Sequence, residues 1–163
     1  MPSGVDIRLP QMQLDQRLEY DMAAASVAEW FDINNLFIRY ATSLDRGDVE
    51  AVVSCFTGEA SLVSPVLGEF SGHAGIRDFA SRTARLKHDE GVQFRHVVSN
   101  LVVDVEGDTA GATCYLLDFR TRDGKTELLS PGEYSCNLRR IDGQWLFERR
   151  VVVMDHQFGV NEL

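Results

Sequence analysis

Four long apolar runs fill the second half of the chain, from Val92 to Met154, and short glycine-bearing turns separate them. The turns are Glu106-Gly107-Asp108, Arg122-Asp123-Gly124-Lys125 and Ile141-Asp142-Gly143-Gln144. Val, Leu, Phe and Tyr favour extended backbone, and tight Asp-Gly loops join strands that reverse direction. The second half is therefore an antiparallel meander. A sheet of that size presents an apolar face that some other layer has to cover.

The first half supplies the cover. Ser26-Val27-Ala28-Glu29 has the form of a capping box, in which Ser26 and Glu29 satisfy each other's backbone amides at a helix start. Beyond it Trp30, Ile33, Phe37, Ala41 and Leu44 recur at three- and four-residue spacing, one stripe of a helix that stops near Arg46-Gly47. Asp48 reads as the N-cap of a second helix that buries Val49, Val52, Val53 and Phe56. Ala60 to Val66 reads as a short strand ended by Pro65 and Gly68. A third helix, Ala74 to Lys87, buries Ile76, Phe79, Ala80 and Leu86 and stops before His88-Asp89-Glu90-Gly91. Helices first and a sheet afterwards give an α+β fold with three helices on one face of a curved, mostly antiparallel sheet. Residues 1–25 have two prolines and no clear period, so they read as an arm ahead of one domain over residues 26–158, with 159–163 as a tail.

Composition narrows the function classes. The 163 residues make one domain with a core of its own, and a formal charge of −9 disfavours phosphate backbones and anionic lipid as partners. Residues 1–20 mix charges with apolar side chains and lack the apolar run of a signal peptide, so the expected location is cytoplasmic. Cys55, Cys114 and Cys136 form no CxxC pair and read as buried thiols. No GxGxxG, GxxxxGK[ST], HExxH or GxSxG motif occurs, so dinucleotide, nucleotide, zinc-protease and serine-hydrolase chemistries lose support. His73, His88, His96 and His156 lie far apart with no metal-ligand spacing; neither a metal nor a cofactor is expected.

Two residues are oddly placed. His96 shares a strand face with Phe94 and Val98, so an ionisable ring sits among apolar side chains. It is a general-base candidate if that face lines a cavity, and otherwise a core histidine bonded to a backbone carbonyl. Asp45 sits at the edge of the first helix's apolar stripe, beside Asn34, Ile38 and Ala41, at the end where the helix dipole favours cations. Its other reading is a solvated loop residue. Arg150 can bind an anionic or carbonyl oxygen, and since Arg149 and Arg150 point to opposite faces only one of them can be buried. Tyr40, Tyr115 and Tyr134 can offer phenolic hydrogen bonds or serve only as packing.

The run Arg39-Tyr40-Ala41-Thr42-Ser43-Leu44-Asp45-Arg46-Gly47-Asp48, then Val53 to Ala60, Phe70 to Ile76 and the terminal Gly143-Gln144-Trp145-Leu146-Phe147, resemble a SnoaL-like domain of the nuclear transport factor 2-like superfamily. The resemblance implies a cone-shaped, cystatin-like α+β barrel. It is strongest toward the branch of scytalone dehydratase and hexachlorocyclohexane dehydrochlorinase, cofactor-free lyases with an Asp/His dyad whose places Asp45 and His96 match. Arg150 matches the dehydrochlorinase's substrate-side arginine. Tyr40 stands where that enzyme has a lysine, and His88 is the loose candidate for the dehydratase's second histidine. Ketosteroid isomerases carry an Asp base where this chain has Ser64, before Pro65.

The resemblance thus implies a lyase or isomerase that abstracts a proton from a small, apolar, cyclic or aromatic molecule. It also implies a homo-oligomer, a trimer before a dimer. The alternatives are a non-catalytic small subunit of an aromatic-ring hydroxylating dioxygenase, or a small-molecule binding module.

Overall fold

The computed structural model describes residues 25–155. The expected arm, except Ala25, the tail 159–163 and His156 lie outside them. Three helices and six strands follow in the order α1 (Val27–Arg46), α2 (Val49–Val53), β1 (Phe56–Ser64), β2 (Gly68–Ser71), α3 (Gly72–Glu90), β3 (Gln93–Glu106), β4 (Thr109–Arg122), β5 (Lys125–Ile141) and β6 (Gln144–Met154). The strands form one sheet in the order β2-β1-β6-β5-β4-β3, antiparallel throughout except for the β1–β6 pair.

Local chemistry accounts for the boundaries. Ser26 Oγ accepts from the Glu29 amide and Glu29 accepts from the Ser26 amide, so the capping box forms as its sequence predicts. Gly47 closes α1 with φ +73°, a left-handed geometry that a side chain resists. Asp48 caps α2 by accepting from the Ala51 amide. In the β4–β5 and β5–β6 loops, Asp123-Gly124 and Asp142-Gly143 all have positive φ, the primed turn whose twist suits a hairpin.

Several expected bounds need revision: the third helix runs on to Glu90, and Trp30 of the first helix's stripe is 40% exposed. The strand expected over Ala60 to Val66 starts at Phe56, and Gly68–Ser71 returns beside it as β2, with Leu62 opposite Phe70. Phe56 accordingly enters the core from β1 rather than from the second helix. The curved, mostly antiparallel sheet with three helices on it forms as expected, and it is open. Among the described residues β2 and β3 are the two edges of the sheet and do not pair with each other.

The concave face holds the core, with α1 laid across it. Phe147 on β6 is fully buried and packs its ring 5.1 Å from Phe37, 5.8 Å from Tyr40 and 5.3 Å from Phe56. Burying each such ring contributes about 1.5–3 kcal/mol, and aromatic pairing adds about 0.5–1.5 kcal/mol. In β3 the inward set is Phe94, His96 and Val98 before the bulge at Ser99–Val102, and Val103 and Val105 after it. Asn100, at φ +56°, absorbs the extra residue. Without that bulge, the strand's period of two would turn either His96 or Val103 to the outside.

Candidate functional site

Asp45 occupies the last turn of α1, where the backbone carbonyls make the surroundings electronegative. Its side chain is nevertheless 90% buried, because β3 crosses directly beneath it and offers donors. Oδ1 lies 2.6 Å from His96 Nδ1, and the His96 backbone N–H donates to both oxygens at 3.2 and 3.3 Å. A carboxylate can only accept, so the short contact places the proton on Nδ1 and leaves Nε2 as the free base nitrogen. The backbone carbonyl of Asp45 accepts from Gln93 Nε2 at 3.0 Å, and Gln93 Oε1 accepts from Lys87 on α3. Three elements therefore fix the end of α1 over the strand.

His96 faces a pocket between the sheet and α3. Leu44, Phe79, Leu86, Phe94 and Leu116 form apolar walls, with Val152 and Met154 at the β6 side. Polar groups are few: His96, Asp118, Tyr40, Tyr134, Thr83 and Ser64. Ser64 Oγ is engaged by the Val66 and Leu67 amides at 3.3 and 3.2 Å, so the position where a ketosteroid isomerase carries its base holds a turn hydroxyl.

Asp118 was not visible as a site residue from motif or spacing. It sits directly opposite His96 in the β3–β4 register, with Oδ2 3.8 Å from His96 Nε2. The signal that could have found it is the inward alternation of β4: Ala110, Ala112, Cys114 and Leu116 are buried, and Asp118 continues their phase. The ionisable groups answer to this setting. Burial pushes the His96 imidazole down, but the Asp118 and Asp45 carboxylates more than reverse that, and it titrates above its ordinary 6.5. Burial holds the Asp118 carboxyl above the usual range; His96 opposes the shift and the Asp45 charge adds to it. Burial pushes Tyr40 up to about 12 and Tyr134 well above 10, so both phenols are neutral donors at neutral pH.

The other expected residues divide. Tyr40 and Tyr134 line the pocket. Tyr115 does not: it is 57% exposed on the convex face, because it is out of phase with the buried set of β4. His88 does not either. It lies exposed on the last turn of α3, with Nε2 packed where a side chain at Gly47 would go, behind the α1–α2 junction.

Arg150 is fully buried, as only one of the Arg149–Arg150 pair can be, yet it is not among the residues that line this pocket. Its guanidinium carbon lies 3.6 Å from the Tyr134 ring centre, 4.0 Å from Tyr40, 4.5 Å from Phe147 and 5.1 Å from Phe37. The aromatic cage stands between it and any ligand, so it acts on the pocket through the charge felt by His96 and the two tyrosines. Cys55, Cys114 and Cys136 are free, buried thiols; burial pushes Cys114 up to about 11 and raises the other two, which leaves none armed as a nucleophile. Among the described residues no group of three or more His, Cys, Asp or Glu is placed to hold a metal ion.

A helix-covered open cone with one Asp-bound histidine facing an apolar pocket defines an α+β protein of cystatin-like fold. The chain matches the SnoaL-like domain over residues 26–151 and belongs to that family, within the nuclear transport factor 2-like superfamily. No curated protein matches it.

Solved structures do. A nuclear transport factor 2-like protein of cystatin-like fold from Novosphingobium aromaticivorans is 26% identical, with a TM-score of 0.69 over 78% of this chain and 82% of that one. A candidate aromatic ring hydroxylase from the same organism is also 26% identical, at TM-score 0.69 over 82% and 93% of the two chains. A candidate scytalone dehydratase from that organism is 19% identical, at TM-score 0.69 over 79% and 85%, and at that identity the likeness is of the fold.

Proposed function

We propose that this chain is a cofactor-free lyase or isomerase, dehydratase-like, that moves a proton on a small, largely apolar, cyclic or aromatic molecule held in the pocket. One observation carries the reading: a buried carboxylate 2.6 Å from His96 Nδ1 orients a ring whose Nε2 is turned to the pocket. His96 Nε2 removes the proton. Asp45 holds the tautomer and stabilises the imidazolium as it forms. Tyr40 and Tyr134 offer neutral hydroxyls toward developing negative charge. The apolar walls argue for a substrate with few polar groups.

The small-subunit or binding-module alternative predicts an Asp45 that faces solvent, whereas Asp45 is 9% exposed and engaged. Self-association belongs to the same proposal. Val97, Tyr115 and Val153 lie exposed on the convex sheet face, an apolar surface on which copies of the chain can pack as a trimer.

The probe for the chemistry is 2-tetralone, a bicyclic aromatic ketone with acidic protons beside its carbonyl, incubated in D2O and followed by proton NMR. The wild type is expected to accelerate deuterium exchange over buffer. His96→Gln should lower the exchange rate by about 10²–10⁴-fold while leaving the far-UV circular dichroism unchanged. Equal rates for the two proteins refute the assignment.

A further inference from the structure

We propose that Asp118 is the proton donor that works opposite His96. Its Oδ2 lies 3.8 Å from His96 Nε2, and its buried Oδ1 has no hydrogen-bond partner among the described residues, so the carboxyl delivers a proton to a substrate oxygen while His96 takes one from the neighbouring carbon. The inference rests on His96 as the base, and it narrows the substrate to an enolisable cyclic ketone.

A buried carboxyl oxygen without a partner costs about 1–3 kcal/mol or more, so its presence calls for a reason beyond packing. Asp118 has little structural reason to be where it is. Its neighbours in phase on β4 are Ala, Cys and Leu, and an apolar residue would continue that series. What the position provides is nearness to Nε2: 3.8 Å is just beyond a hydrogen bond, close enough for one substrate C–H and the adjacent C=O to contact both groups.

The proton arithmetic closes. His96 Nε2 takes hydrogen from the carbon beside the carbonyl; the C–H pair becomes the C=C bond, and the carbonyl π pair moves to oxygen, which takes hydrogen from Asp118. The product is the enol, facing imidazolium and carboxylate. Because Nε2 and Oδ2 are neighbours, the proton then passes from His96 to Asp118 and restores the starting state without water or cofactor. The site carries one negative charge, on Asp45, before the step and the same net charge after it. Proton transfer therefore creates no new net charge in an apolar cavity, where one would be expensive.

The groups that face this pair are Asp45 and Tyr40 from α1, Tyr134 from β5 and the caged Arg150 from β6, while α3 contributes Phe79, Thr83 and Leu86. Burial and the Asp45 charge favour the protonated Asp118 carboxyl, and a protonated His96 opposes them. An apolar substrate that expels water shifts the His96 and Asp118 pair toward its neutral form.

A base acting alone and a base with an acid predict different pH profiles. With Asp118 as donor, the 2-tetralone exchange rate falls on both sides: at low pH as His96 gains a second claim on protons, and at high pH as the pair loses its one proton. Asp118→Asn keeps the size and a hydrogen-bond donor but cannot release a proton. It is expected to lower exchange by at least tenfold and to abolish the high-pH fall.

A ligand-free arm uses carbon-13 aspartate and nitrogen-15 histidine labels in the full chain. The Asp118 carboxyl signal is expected to report the His96 transition as a shared step, which Asp118→Asn removes from the His96 titration. Exchange that is lost in His96→Gln but unchanged in Asp118→Asn, or an Asp118 carboxyl that ionises in a single step indifferent to His96, overturns this inference and leaves the dyad standing. Absence of exchange in the wild type overturns the ketone assignment.

Discussion

Replacing Arg150 with methionine should leave the protein as stable as before, or more stable, although it removes a fully buried side chain. Four rings surround the guanidinium at 3.6 to 5.1 Å. Desolvated cation–π contacts contribute about 2 kcal/mol for each of the two near rings and about 1 kcal/mol for each of the two far ones, or roughly 6 kcal/mol. Against this stand the removal of a cation from water, which costs several kcal/mol, and two N–H groups, Nε and Nη2, that find no acceptor among the described residues at about 1–3 kcal/mol each. The hydrogen bond from Nη1 to Cys136 Sγ, at 3.6 Å, is a weak one.

No Asp or Glu forms an ion pair with Arg150 among the described residues, so the several kcal/mol for the cation and about 2–6 kcal/mol for the two N–H groups match or exceed the favourable contribution. Methionine keeps the unbranched stem and places a polarisable sulfur among the same rings. Arg150→Met is therefore expected to change the free energy of unfolding by between zero and about +3 kcal/mol, measured by urea denaturation at pH 7 with an unchanged m-value. Arg150→Ala, which leaves a void, should lose about 2–5 kcal/mol. A loss above 2 kcal/mol in the methionine variant refutes the reasoning, since it means the charge itself holds the aromatic cage together. The same variant should exchange 2-tetralone more slowly, because the positive charge behind Tyr40 and Tyr134 is gone.

Both His96 and Asp118 bind protons more tightly in the folded protein than in the unfolded chain. Their contribution is therefore present at low pH and is lost as pH rises through each raised value. The stability gap between wild type and His96→Gln should be wider at pH 5.5 than at pH 8.5 in urea unfolding; a gap that widens with pH contradicts the assignment. Gly132→Ala drives a Cβ into the Val153 carbonyl oxygen, and so forces β5 off β6 where Gly132 faces Met154. It should cost at least about 1–3 kcal/mol and lower Tm by several degrees in a thermal melt. Tyr115→Glu together with Val97→Glu should shift the species seen by size-exclusion chromatography with light scattering to the monomer, with His96-dependent exchange retained in the folded fraction.

Much of this protein is legible from its residues alone, and the reason is local. Capping at Ser26 and Asp48 and the Asp-Gly turns depend on contacts within a few residues, and each appears where its sequence places it, while the helical stripes hold except at their ends, Trp30 being 40% exposed. The inward phase of Phe94 and His96 follows from a period of two. The β2 strand was not legible, because four residues carry too little pattern and Gly68–Ser71 becomes a strand only by pairing with β1. Tyr115 and Tyr134 look alike in sequence, and only the phase of each strand sends one to the convex face and the other to the pocket.

What the chain determines by itself is every element but β2, and the identity of one misplaced acid and one misplaced histidine. Tertiary structure decides that they meet. Asp45 and His96 are 51 residues apart, and their 2.6 Å contact exists because α1 ends over β3. The bulge at Ser99–Val102 keeps both halves of β3 facing the core, and the β3–β4 register sets Asp118 against the ring's other nitrogen. Periodicity assigns a residue to a face. Which residue lies opposite it across two strands depends on bulges and register, and these are decided by packing over the whole sheet.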